Sequence, residues 1–222
     1  MSGAEAGDVW SALLLSVRIA AAATAVTAVV GVPLAYALAR RRFVGRSLLE
    51  GFVLMPMVLP PTVVGYAILT VFGARGWLAP WLGGYSVVFR FEGAVLAATV
   101  VALPMLYLPA KAGFASVERE VEDVARLLGA GRWYLFRRVS VPLARRGLAS
   151  GVVLAFARAL GEFGATVMVF GLQPGRVTLP ISVYADYEQG DLAHATAAVA
   201  VLSAASLAMI LLFNATAAGR QE

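Results

Sequence analysis

Arg158 and Glu162 stand four residues apart inside the apolar run 148–171. On a helix that spacing puts the guanidinium and the carboxylate on one face, a turn apart. At membrane depth such groups are costly, face the protein interior and pair. Two chemistries are open to them: an unpaired Arg158 is a site for an anion, while a paired Arg158 and Glu162 form a structural ion pair. We read a pair, because a lone arginine that held an anion tightly would release it slowly. The second unusual group is "MPMVLPPTVVGY", with Pro56, Pro60 and Pro61 followed by Thr62. Each proline lacks the amide that would bond the carbonyl four residues back, so the carbonyls of Phe52, Pro56 and Met57 lose helical partners. Irregular backbone at membrane depth is tolerated inside protein or beside a water-filled cavity. Pro60, Pro61 and Thr62 are therefore candidates for lining a passage, against the plainer alternative of a kink that fits neighbouring helices. In the third apolar run "ALPMLYLP", with Pro104 and Pro109, shapes one helix end.

The remaining chemistry is sparse. Cysteine is absent and His194 is the single histidine, which excludes disulfides, thiol nucleophiles and Cys/His metal sites. His194 is expected at a solvated interface. No phosphate-binding loop is present, so nucleotide binding belongs to another chain.

The elements that must position these residues are membrane helices. Of 222 residues 60% are hydrophobic and 14% charged, against roughly 45–50% and about 25% in soluble domains. A bilayer core needs about 20 apolar residues per helix, and five stretches qualify, near 12–39, 51–72, 93–110, 148–171 and 193–213. The fold class expected is all-α, a polytopic membrane helix bundle forming one domain over 1–222. Glu5 and Asp8 precede the first run where a signal peptide would carry positive charge, so that span is read as retained, with Trp10 and Arg18 at its interfacial start. Segments 40–50 and 111–146 hold four and eight positive residues, and Arg220 adds one at the end. The opposite loops hold only Arg75, Arg90 and Arg176, so 13 against 3 predicts N-outside, C-inside. The net charge of +5 is thus a topology signal with contact to anionic lipid, rather than a sign of nucleic acid.

The loop 113–146 reads "EDVARLLGAGRWYLFRRVSVP" over 122–142. Ser116 is expected to cap a helix with acidic first turns, and Val117, Val121, Val124 and Leu128 share one face. Gly129 and Gly131 end that helix. A second amphipathic segment with Trp133, Phe136 and Val139 follows, until Pro142 breaks it. An amphipathic pair lying on lipid headgroups is one reading. A DNA-binding helix-turn-helix is another, but "RWYLFRRV" is too bulky and too tethered for a recognition helix.

Asp123-Val124-Ala125, three residues, Gly129, nine residues, then Val139-Ser140-Val141-Pro142 resembles the cytoplasmic loop of ABC importer permeases that work with a binding protein. Asp, Val and Val stand where that family has Glu, Ala and the Ile/Leu pair. "LARRRFVGRSLLEGFVLMPMVLPPTVVGYAIL" and "FARALGEFGATVMVFGLQPGRVTLPISVY" are similar to molybdate and tungstate permeases, with sulfate permeases close behind. The resemblance implies a transporter subunit of the plasma (inner) membrane and not an enzyme. It implies a coupling helix that docks into a groove on an ABC ATPase, with Val121, Val124, Ala125 and Leu128 buried there, Gly129 giving close approach, and Asp123 and Arg126 on the rim. It also implies ATP and magnesium on that partner with no cofactor in this chain, a periplasmic or surface-tethered oxyanion-binding protein, and a second copy of the chain. Pro60, Pro61, Thr62, Gly164 and Thr166 would lie along the translocation path. The alternative of a different class is an ATP-independent anion channel or carrier.

Overall fold

The computed structural model describes residues 2–218 apart from 82, 84, 174 and 175, with side chains placed over 9–211; Arg220 lies outside the described residues. The described elements are helical. α1 spans Ser2–Arg40, α2 Arg46–Val58, α3 Pro61–Phe72 and α4 Phe91–Ala115. The charged loop holds α5 (Arg119–Leu127), α6 (Arg132–Tyr134), a π turn (Leu135–Ser140) and α7 (Val141–Leu143). α8 (Arg145–Leu160), α9 (Gly164–Phe170), α10 (Leu179–Glu188) and α11 (Leu192–Ala218) complete the chain. The stretches Val9–Arg40, Phe91–Ala115 and Leu192–Leu211 are each long and apolar enough to cross a bilayer, and counting each bent helix pair as one span gives up to five.

Two expected spans are broken. The chain bends by 118° between α2 and α3, so 51–72 is an elbow and not one straight helix. The cause is local: Leu59 and Pro60 are both extended, with ψ of 141° and 135°, as a residue preceding proline must be. Pro56 sits inside α2 without ending it. At about 1.5 Å per residue neither helix alone crosses about 30 Å of hydrocarbon. The run 148–171 breaks in turn at 161–163, where α8 stops and α9 begins.

The main core is made of α1, α4 and α8, whose buried faces are mostly alanine: Ala20, Ala23 and Ala35 on α1, Ala94, Ala98, Ala102 and Ala110 on α4, and Ala155 and Ala159 on α8. Small residues let helices approach closely where lipid supplies no hydrophobic drive between them. The α4–α8 crossing is close. A Cβ on Gly147 would lie 2.5 Å from the Pro109 carbonyl oxygen, and one on Gly151 would lie 2.8 Å from that of Leu106. A second cluster joins α3 and α9 to α4 through Val64, Ile68, Ala165, Val169, Ala97 and Val101. α1 and α10 are tied by Ser16, whose Oγ accepts the Leu179 N–H at 2.8 Å and donates to the Ala12 carbonyl at 2.9 Å.

Candidate functional site

The charged loop is where polar chemistry concentrates, at the end of the bundle shared with Arg40 and Arg46. α5 starts at Arg119, two residues later than the sequence pattern predicts, with Glu118 as its cap residue. Ser116 instead closes α4, its Oγ donating to the Gly113 carbonyl at 2.9 Å. Val117 therefore falls outside α5 and is buried, leaving the expected apolar stripe without its first member. The rest of the stripe stands in the open: Val121, Val124 and Leu128 are 42%, 55% and 84% exposed, Leu127 is exposed beside them, and Ala125 is half-buried. Fully burying one such side chain is worth about 1.5–3 kcal/mol, so a surface that covered this face would gain from it. Asp123 and Arg126 pair at its edge at 2.5 Å.

Gly129 ends α5 at φ +88°. The Ala130 N–H reaches back to the Ala125 carbonyl and the Gly129 N–H to that of Arg126, a termination that favours glycine. A Cβ there would meet nothing within 4 Å, so the requirement within the chain is conformational rather than steric.

The opposite face of α5 carries a group that the apolar pattern could not single out. Glu122 is 2% exposed. Its Oε1 lies 2.9 Å from Arg40 Nη2 and accepts the Ser140 hydroxyl at 2.8 Å, while Oε2 faces Arg126 at 3.3 Å. Beside it Tyr36, Phe114 and Phe136 form an aromatic cluster, with Trp133 against Phe136. The loop is thus seated on the ends of α1 and α4. Lys111 of α4 pairs with Glu50 of α2 nearby. The second amphipathic segment is a π turn flanked by two short helices, and the chain bends 78° into α8 after Leu143, one residue beyond the expected stop at Pro142.

Deeper in the bundle, the two helix breaks meet. A Cβ on Gly164 would lie 2.9 Å from that of Pro61 and 3.3 Å from the Thr62 nitrogen, and one on Gly65 would strike Ala165 and Met168. Pro61, Thr62 and Gly164 are therefore neighbours. Pro60 and Thr62 are exposed, whereas Thr166 is 1% exposed and faces packing rather than open surface. Arg158 and Glu162 pair, Nη1 to Oε2, at 2.6 Å, but not along one helix. Glu162 sits in the break, one residue before the α9 cap position Phe163, and its Oε1 accepts the Ala165 N–H of the first turn of α9 at 2.7 Å. The carboxylate is 1% exposed and the guanidinium 28%, so the charge near the junction is already neutralised.

At the far end, Arg75 and Arg90 line one cavity of about 640 Å³ with Thr70 and Ser86. Phe89 beside them has φ +60°, held by its N–H to the Val169 carbonyl and by the Gln173 amide on its own carbonyl. His194 pairs with Asp186 at 2.7 Å across α10 and α11, a partner that the expectation of simple solvation did not include. Among the described residues no cluster of three or more His, Cys, Asp or Glu could hold a metal ion.

Comparison with known proteins covers nearly the whole molecule. The family described as "Binding-protein-dependent transport system inner membrane component" matches residues 31–218. The putative molybdenum transport system permease protein YvgM of Bacillus subtilis is 37% identical over 213 residues, 94% of each chain. The molybdenum transport system permease protein ModB of Escherichia coli is 39% identical over 180 residues, 79% of this chain and 78% of that one. A probable sulfate transport system permease protein, cysT of Chlorella vulgaris, is 35% identical over 208 residues, 92% of this chain and 78% of the other. Among solved structures, inward-facing MetNI, a methionine ABC transporter, superimposes with a TM-score of 0.71 at 14% identity, covering 97% of both chains; that likeness speaks for the fold.

Proposed function

Because this chain belongs to the family of binding-protein-dependent transport system inner membrane components, we propose that it is the permease through which molybdate, or the isostructural tungstate, enters the cytoplasm. It is a multi-pass protein of the plasma membrane, and a transport subunit rather than an enzyme. Its partners are ATP-hydrolysing subunits and a substrate-binding protein. A second copy completes the passage, with the charged loop in the cytoplasm and the cavity of Arg75 and Arg90 outside, facing the binding protein. ATP and magnesium are held by the partner. The substrate assignment is supported by molybdenum permeases at 37–39% identity.

The observation that carries the mechanism is the two-sided α5: Val121, Val124 and Leu128 open to solvent, and Glu122 fixed to the bundle behind them. An apolar helix face of this size fits a groove on an ATPase, as amphipathic helices do in other complexes, and the buried side makes the docked helix a handle on the bundle. Near Pro61, Thr62 and Gly164 the paired Arg158 leaves no free guanidinium to trap a divalent oxyanion, so the ion is guided without being held. The test is ATP hydrolysis by the reconstituted complex with its binding protein, against molybdate, tungstate and sulfate. Stimulation by loaded protein, strongest for molybdate and tungstate, is expected. Strongest stimulation by sulfate would reassign the substrate, and uptake by this chain alone in liposomes would refute the dependence on ATP.

A further inference from the structure

Glu122 is costly where it lies. A carboxylate taken out of water costs several kcal/mol, and an apolar pair in its place is often as stable or more so. Arg40 is little better served, since its buried Nε has no hydrogen-bond partner among the described residues. The contacts also call for a π turn, a rare form found mostly at functional sites, which holds Ser140 against the carboxylate. Stability alone would not select this arrangement. What it does achieve is a connection. Arg40 is the last residue of α1, and its Nη2 bonds both Glu122 of α5 and the Val117 carbonyl at 2.8 Å. Tyr36, one turn earlier on α1, packs on Phe136 of the π turn.

We propose that the Arg40–Glu122 clamp makes α1 a second output of the coupling helix, carrying its displacement along α1 to the opposite face of the membrane. α1 stays helical from Ser2 to Arg40 although Pro33 lies inside it, unlike the broken runs holding α2–α3 and α8–α9, so motion at Arg40 has one continuous path to Ser16. From Arg40 to Ser16 it reaches about 36 Å at 1.5 Å per residue. There Ser16 Oγ holds the first amide of α10, and α10 packs against α11 beside the junction with α1 through Leu179 and Ala198. Movement of α5 is thereby delivered to α10, which is joined to α1 at Ser16. Glu122 and Arg40 are positioning residues: they bind neither nucleotide nor oxyanion. The proposal rests on α5 being the ATPase-docking helix.

The test uses the full complex in proteoliposomes, with uptake and ATP hydrolysis measured together. A clamp that merely holds the fold would, when weakened, lower both in proportion and leave uptake per ATP unchanged. A transmitting clamp predicts that Glu122→Gln and Arg40→Met lower uptake per ATP hydrolysed about tenfold, inside the range usual for coupling between sites. Arg40→Lys, which keeps the charge but loses the fork, is expected to recover much of it. Ser16→Ala should reproduce the loss from the other end of α1, and it settles the matter if the clamp variants fail to accumulate. Wild-type uptake per ATP in Ser16→Ala, or in both clamp variants, overturns the proposal. A wild-type complex that does not respond to loaded binding protein would instead sink the reading of the chain as an importer subunit, before any variant is compared.

Discussion

Replacing Arg158 by leucine leaves the carboxylate of Glu162, 1% exposed, without its counter-ion. At 2.6 Å and an effective dielectric of about 20 the gross attraction is about 6 kcal/mol, and desolvation of two ions consumes most of it. Breaking such a pair costs about 3–5 kcal/mol because one charge stays buried, whereas removing both ions is often neutral. Glu162 has a second duty, capping the Ala165 N–H, worth about 1 kcal/mol. Arg158→Leu is therefore expected to be the most damaging single change. Glu162→Leu is milder in charge, since Arg158 is 28% exposed and can reach water, but it loses the cap. The double variant should recover all but about 1 kcal/mol. Folded protein extracted from membranes and oxyanion uptake, measured on the wild type and these three variants, give the answer. A double variant that folds well and transports nothing would refute the structural-pair reasoning and make Arg158 a substrate group.

Three further outcomes follow from the geometry. Ala125→Arg puts a charge at the edge of the open face of α5 and should abolish co-purification of the ATPase subunit while leaving the permease folded; full-strength association would return the loop to an interfacial role. Since the chain has no cysteine, Val44→Cys and Trp81→Cys, both highly exposed sites, can be labelled singly: the first should react only from the cytoplasm and the second only from outside, and the reverse would invert the topology. Gly151→Val drives side-chain atoms into the Leu106 backbone and should destabilise the fold by about 1–3 kcal/mol, read as a lower melting midpoint in detergent.

The three long apolar helices, the irregular backbone at Pro60 and the apolar face of α5 were legible because each rests on one local rule: apolar length, loss of an amide, and spacing of three and four. The break at 161–163 was less so. Gly161 is a weak signal by itself, and what ends α8 there is the Glu162 carboxylate capturing the Ala165 amide, a choice between two hydrogen-bond patterns that spacing alone does not rank. The reading of Arg158 and Glu162 as partners survives although the helix assumed for it does not, because a side chain of arginine's length spans the turn in either backbone. The helix contacts could have been anticipated in part. Gly147 and Gly151 form a G-x-x-x-G pattern, a known mark of close crossing, yet the partner positions Leu106, Pro109 and Gly113 come only from the fold.

Glu122 shows where local rules stop. Glu118, Glu120, Glu122 and Asp123 are equivalent as acids near a helix start, and the helix period orients them only relative to Val121 and Val124. Which acid is buried depends on what lies behind α5, and that is Arg40, 82 positions away in the chain. The apolar pattern only narrows the choice: at about 100° per residue Glu122 and Asp123 lie almost equally far round from the stripe of Val121, Val124 and Leu128, on its two sides, and either could face the bundle. The exposed stripe and the buried acid are one fact read from two sides, since a helix can offer a docking face only when its other face is held. Loosening Glu122 should then leave docking intact and impair what docking achieves, which is why uptake per ATP, rather than ATPase binding, is the quantity that distinguishes the two faces.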